Sequence, residues 1–151
     1  MAAVVAASGL VYLAAAALDL PWVSWPVFFL SVVVITLVRL GLVPVEATWL
    51  LLAAAALFAA IGLARAVRRP IGDLPLQALA MTAFGGAAVV ALVVSPFIGA
   101  LLVAAGLFAH AGWDVFHHVK NKVVVRSMAE FCFVLDSVLG LAIVIVTLRG
   151  T

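Results

Sequence analysis

A chain of 151 residues that is 69% hydrophobic and 9% charged, with a mean hydropathy of +1.43, lies far outside the water-soluble range of about 45–50% apolar and about 25% charged residues. The single cysteine excludes an internal disulfide and a cysteine-only metal site, and a net charge of +2 gives no reason to expect a nucleic-acid partner. In hydrocarbon the backbone must satisfy its own hydrogen bonds, which leaves helices or a closed barrel, and these apolar runs are continuous rather than alternating.

The composition therefore predicts an all-α integral membrane protein, a compact bundle of about six transmembrane helices at roughly 20 residues per span. It forms a single domain over residues 1–151, with no room for a soluble domain. In chain order, the first apolar run, 2–18, lacks the positively charged start and polar end of a cleavable signal and reads as the first span. Asp19-Leu20-Pro21 breaks it, and Trp22 and Trp25 follow where amphipathic rings favour an interface. The second span covers 26–43 and closes at the Gly41 to Pro44 turn, where Arg39 and Glu46 suggest a local ion pair. The third, 46–66, carries Trp49 near its start and the run Ala53 to Ala56, small residues that let helices approach closely. A basic loop, Arg68-Arg69-Pro70, leads to Asp73-Leu74-Pro75 and the fourth span, 74–94. Ser95-Pro96 separates that from the fifth, 97–118, and a second basic loop precedes the sixth, 128–148. Prolines stand at helix starts and ends, where a missing donor and fixed φ are tolerated.

Six spans bring Arg65, Arg68, Arg69, Lys120, Lys122 and Arg126 to one face and leave Arg39 and Arg149 to the other. Positive charge near short loops marks the cytoplasmic side. Both termini are therefore expected on the non-cytoplasmic side. The two halves show no convincing residue match that would indicate an internal repeat.

Ionisable side chains within a span are costly, about 2.5–3.5 kcal/mol each at mid-bilayer on insertion scales, so their placement carries information. The fifth span ends His110-Ala-Gly-Trp-Asp114-Val-Phe-His117-His118, and steps of three and four residues put His110, Asp114, His117 and Asn121 on one stripe. In the sixth span Cys132 and Asp136 share a face, and Asp136 falls at a depth similar to His110. His110, Asp114 and Asp136 are the candidate catalytic residues. Imidazole and carboxylate also suit a divalent metal, for which His110, Asp114 and His117 are the candidate ligands. The plainer alternatives are headgroup contacts for His117 and His118, a Ser127-x-x-Glu130 capping box, core packing for Cys132, and a solvated helix end for Asp19. For His110 and Asp114 the plainer alternatives are a bond to a neighbouring carbonyl and a pairing with a loop cation.

The segment from His110 to Gly140, with His110-x-x-x-Asp114, the basic loop, Phe131-Cys132 and Asp136, resembles small uncharacterised polytopic membrane proteins of high-GC bacteria. The resemblance implies a bacterial inner membrane and brings no activity with it. The residues leave three functions open. The first is an intramembrane enzyme or metal-binding protein acting on a lipid or isoprenoid from the cytoplasmic leaflet, by acid–base or metal-assisted chemistry. The second is a non-catalytic subunit or assembly factor of a larger membrane complex. The third is a small oligomeric transporter or channel. Membrane lipids, other subunits or further copies of the chain are the expected partners.

Overall fold

The computed structural model describes residues 1–68, 70 and 72–150, so Arg69 of the first basic loop lies outside the described residues. Every element among them is helical: α1 (Ala2–Leu18), a 3-10 turn (Pro21–Val23), α2 (Ser24–Arg39), α3 (Ala47–Ala66), α4 (Leu74–Val93), α5 (Pro96–Lys120) and α6 (Arg126–Arg149). By length and apolarity, α3 to α6 and the continuous stretch Pro21–Arg39 can each cross a membrane, whereas α1 is shorter.

The first helix is largely enclosed by the others. It runs through the middle of the bundle, packing against α2, α3, α4 and α5. Thirteen of its seventeen residues are buried. Its sequence explains this position, because eight alanines together with Ser8 and Gly9 make a thin rod that five helices can surround. At 1.5 Å per residue α1 is about 25 Å long, less than the roughly 30 Å hydrocarbon thickness; a helix largely enclosed by protein need not match it. The outer helices turn large apolar side chains outward, Leu30, Leu57, Val93, Val119 and Val146 among them, as a bundle dissolved in lipid requires.

The surrounding helices follow chain order around α1, with α2 against α3, α3 against α4, α4 against α5 and α5 against α6. Between α2 and α6 the ring stays open along much of its length. It closes at one end, where Trp25 and Phe28 of α2 pack on Phe131 of α6 and Trp25 Nε1 donates to Ser127 Oγ over 3.3 Å.

Several local expectations change. Helix α2 stops at Arg39, four residues early, because Gly41 adopts φ 73° and a Pro44-containing turn follows. Glu46 caps α3 by accepting the Thr48 amide, and among the described residues no Arg39–Glu46 ion pair forms. Ser127 and Glu130 do not build a capping box: the α6 N-cap is Val125, without a side-chain cap. Glu130 instead faces His118 at 3.6 Å. Asp19 ends α1 in the left-handed conformation, φ 55°, and does not join the polar cluster.

Candidate intramembrane His/Asp centre

One end of the bundle gathers the last turns of α1, α3 and α5, the first turns of α2, α4 and α6, and the described basic residues Arg65, Arg68, Lys120, Lys122 and Arg126. Counting inward from that basic end, Ser8, His110 and Asp136 each stand ten residues deep on α1, α5 and α6, which is about 15 Å at 1.5 Å per residue. Tyr12 and Asp114 form a second layer six residues deep. Equal spacing on antiparallel neighbours is what brings the polar groups together.

His110, Asp114 and Asp136 converge, all at most 1% exposed. His110 Nδ1 lies 2.9 Å from Asp136 Oδ2 and 3.3 Å from Asp114 Oδ2. One ligand atom from each residue lies within 4.8 Å of the other two, a spacing compatible with a shared metal ion. Tyr12 donates to Asp114 Oδ1 over 2.6 Å. Ser8 Oγ is 3.4 Å from Asp136 Oδ2 and 3.2 Å from the Val4 carbonyl, so its one proton serves one of them at a time.

Among the described residues, two buried atoms of the cluster find no hydrogen-bond partner: His110 Nε2 and Asp114 Oδ2. The second follows from the first contacts, because Nδ1 carries at most one proton and Asp136 is the nearer acceptor. Among the described residues the only ion-pair partner of either carboxylate is His110, no lysine or arginine approaching them. With neutral imidazole and two carboxylates the trio has a charge of −2. It becomes neutral either with two added protons or with one divalent cation.

His117, on the same stripe of α5, is not part of this group. Seven residues separate it from His110, about 10 Å along the axis, so one ion cannot bridge both while Asp136 already stands at the depth of His110. His117 Nε2 is 3.0 Å from Gln77 Nε2, and its Nδ1 is 3.0 Å from the Trp113 carbonyl oxygen. The amide can donate to Nε2 while Nδ1–H donates to the carbonyl, which satisfies a neutral ring. Trp113 Nε1 donates to Gln77 Oε1 over 3.3 Å and completes the network. The Tyr12 ring packs edge-on to both imidazoles and separates the two polar groups. His117 is thus enclosed by protein rather than open to headgroups, and of the two adjacent histidines only His118 is partly exposed.

Ser8, Tyr12 and Gln77 escaped the sequence reading, which took α1 and α4 as apolar runs. A signal existed for two of them: Ser8 and Tyr12 are four residues apart, on one face of α1, and Tyr12 is the chain's only tyrosine.

Asp136 also borders a cavity of about 290 Å³ that fills the open seam between α2 and α6, with α1 as its floor. Phe28, Val32, Ile35, Leu135 and Leu139 supply apolar walls, and Ser8, Ser31, Thr36, Cys132 and Asp136 its few polar atoms. The volume stands at the lower edge of the range for small-molecule sites, about 300–1,000 Å³. No family model matches the chain, and no curated protein or solved structure shows significant similarity to it.

Proposed function

We propose that the chain is a bacterial inner-membrane enzyme of six spans, with both termini non-cytoplasmic, whose His110, Asp114 and Asp136 hold a divalent metal ion used on a lipid or isoprenoid. The observation that carries this reading is the Asp114 Oδ2 atom, buried beside His110 and Asp136 without a donor.

The two neutral loadings of the trio differ in what they leave unsatisfied. With two protons, His110 donates from Nδ1 to Asp136. The proton on Asp114 Oδ2 and the one on His110 Nε2 then both lack acceptors. With a divalent cation, Nδ1 and the two Oδ2 atoms all serve as ligands, and only Nε2–H is left. Each buried unsatisfied group costs about 1–3 kcal/mol, and a bound cation leaves one fewer of them than this protonated arrangement does. Zinc ligands stand about 2.0–2.2 Å from the ion, so the 2.9 Å contact must open by roughly half an ångström on loading. Tyr12 on Asp114 and Ser8 on Asp136 are the outer contacts that would orient the carboxylates. Three protein ligands leave a coordination position open, the pattern of catalytic rather than structural sites. Asp136 faces the groove, so a substrate there meets the centre from its side.

Elemental analysis of the purified full chain tests the proposal. Zinc, iron or manganese at about one ion per chain is expected, with loss in His110→Ala and Asp136→Asn. Protein that purifies folded and takes up none of the three metals on reconstitution would overturn the metal centre.

A further inference from the structure

The groove between α2 and α6 points to the class of molecule the centre serves. We infer that it binds one hydrocarbon chain of an uncharged lipid, such as an isoprenoid alcohol, with the reacting group at mid-bilayer depth. This inference rests on the proposed function for the chemistry but stands on its own geometry for the ligand.

Depth is the first argument. Asp136, ten residues into α6, is about 15 Å from the basic end, half of a hydrocarbon core of about 30 Å. A phospholipid or polyprenyl phosphate keeps its charged head at the interface and presents only its tail at that level. For a charged head to reach Asp136 it would have to leave the headgroup layer, which insertion scales price at about 2.5–3.5 kcal/mol per charge. A neutral hydroxyl, carbonyl or double bond has no such barrier.

Charge is the second. Neither lysine nor arginine borders the cavity, and its one ionisable group besides the Cys132 thiol is an acid, Asp136. An anionic head would find no counter-charge there. The hydroxyls of Ser31 and Thr36 donate to carbonyls of their own helix and Ser8 shares its proton between the Val4 carbonyl and Asp136, which leaves the Asp136 carboxylate as the group able to meet a ligand's hydroxyl.

Access is the third. The aromatic contact of Trp25 and Phe28 with Phe131 closes the seam at its basic end. The cavity then extends past Asp136 to Val4, Thr36 and Leu139, twelve to fourteen residues from the basic ends of their helices. The ligand therefore enters sideways from the bilayer interior or the far leaflet, in contrast to the cytoplasmic-leaflet route expected from the sequence.

The test is photolabelling of the detergent-purified full chain with a diazirine-bearing polyprenol and with the matching polyprenyl phosphate. The polyprenol is expected to label α2 and α6 about tenfold more than the phosphate does, a ratio worth about 1.4 kcal/mol. Val32→Trp and Leu139→Trp, which fill the groove from its walls, should each cut labelling about tenfold. Val138→Trp, on the exposed side of α6, should leave it unchanged, and metal content should be unchanged in all three. Equal labelling by the phosphate, or labelling that spreads over outer helices and ignores Val32→Trp in protein that keeps its native melting temperature, would overturn the inference. Groove labelling in folded protein that takes up none of the three metals on reconstitution would leave the ligand class standing without the metal centre.

Discussion

Asp114 has its two oxygens in different circumstances: Oδ1 accepts from Tyr12 at 2.6 Å, and Oδ2 has no donor. Tyr12→Phe keeps the ring that separates the two imidazoles and removes only the hydroxyl. It should leave Oδ1 unpartnered as well, a loss of about 1–3 kcal/mol for a buried acceptor. Loss of an outer contact of this kind lowers metal affinity about 10–100-fold, which competition with a chelator measures directly. Unchanged affinity in Tyr12→Phe would show that the hydroxyl serves packing alone. The sequence made His110 and Asp114 legible through their four-residue spacing, and Asp136 through the short α5–α6 connection that sets both helices at one depth. It misplaced His117, since a shared stripe says nothing about the distance along the axis. Tyr12 and Ser8 were hidden by the apolar residues around them, which identify α1 as a span long before they identify a polar face.

At the scale of the helix, α1 occupies Ala2–Leu18, the stretch expected as the first span, and differs from the other helices in being shorter and mostly buried. Hydropathy cannot distinguish a helix surrounded by lipid from one surrounded by protein, because both are apolar all round. The distinguishing property is width: Gly9 of α1 meets Met81 of α4, and Gly62 of α3 leaves room for Ala17 and Leu74. A Cβ at Gly62 would stand 2.7 Å from Leu74 Cδ2 and 3.2 Å from the Ala17 Cα. Gly62→Val should therefore wedge α3 from α1 and α4 and cost about 1–3 kcal/mol, the usual range for overpacking. A lowered midpoint of thermal unfolding in detergent measures it. Gly86→Val is the control, since nothing lies within 4 Å of a Cβ there. Equal stability of the two variants would mean that α1 is not clamped at Gly62.

For the whole molecule the open question is which way it faces. The fold places Arg65, Arg68, Lys120, Lys122 and Arg126 at one end, with Arg39 and Arg149 at the other. The chain crosses between the ends six times if α1 counts as a crossing, and five times if it does not. Length alone would exclude α1, but its C-terminal end meets the first turn of α4 through Gly62 and Leu74, and its N-terminal half meets Gly106 of α5 through Val5. It therefore runs the depth of the bundle from one end towards the other, and an even number of crossings puts both termini on the face with two basic residues. In the proposed orientation, the excess of positive charge in short loops would set the opposite face in the cytoplasm. Cysteine-labelling topology decides the matter. In a Cys132→Ser background, Thr147→Cys and a cysteine fused ahead of Met1 should both react with an impermeant maleimide on intact cells, and Lys122→Cys only after lysis. Reaction of Lys122→Cys on intact cells would invert the molecule. That would move the aromatic closure of the groove to the outer leaflet and turn its open end towards the cytoplasm.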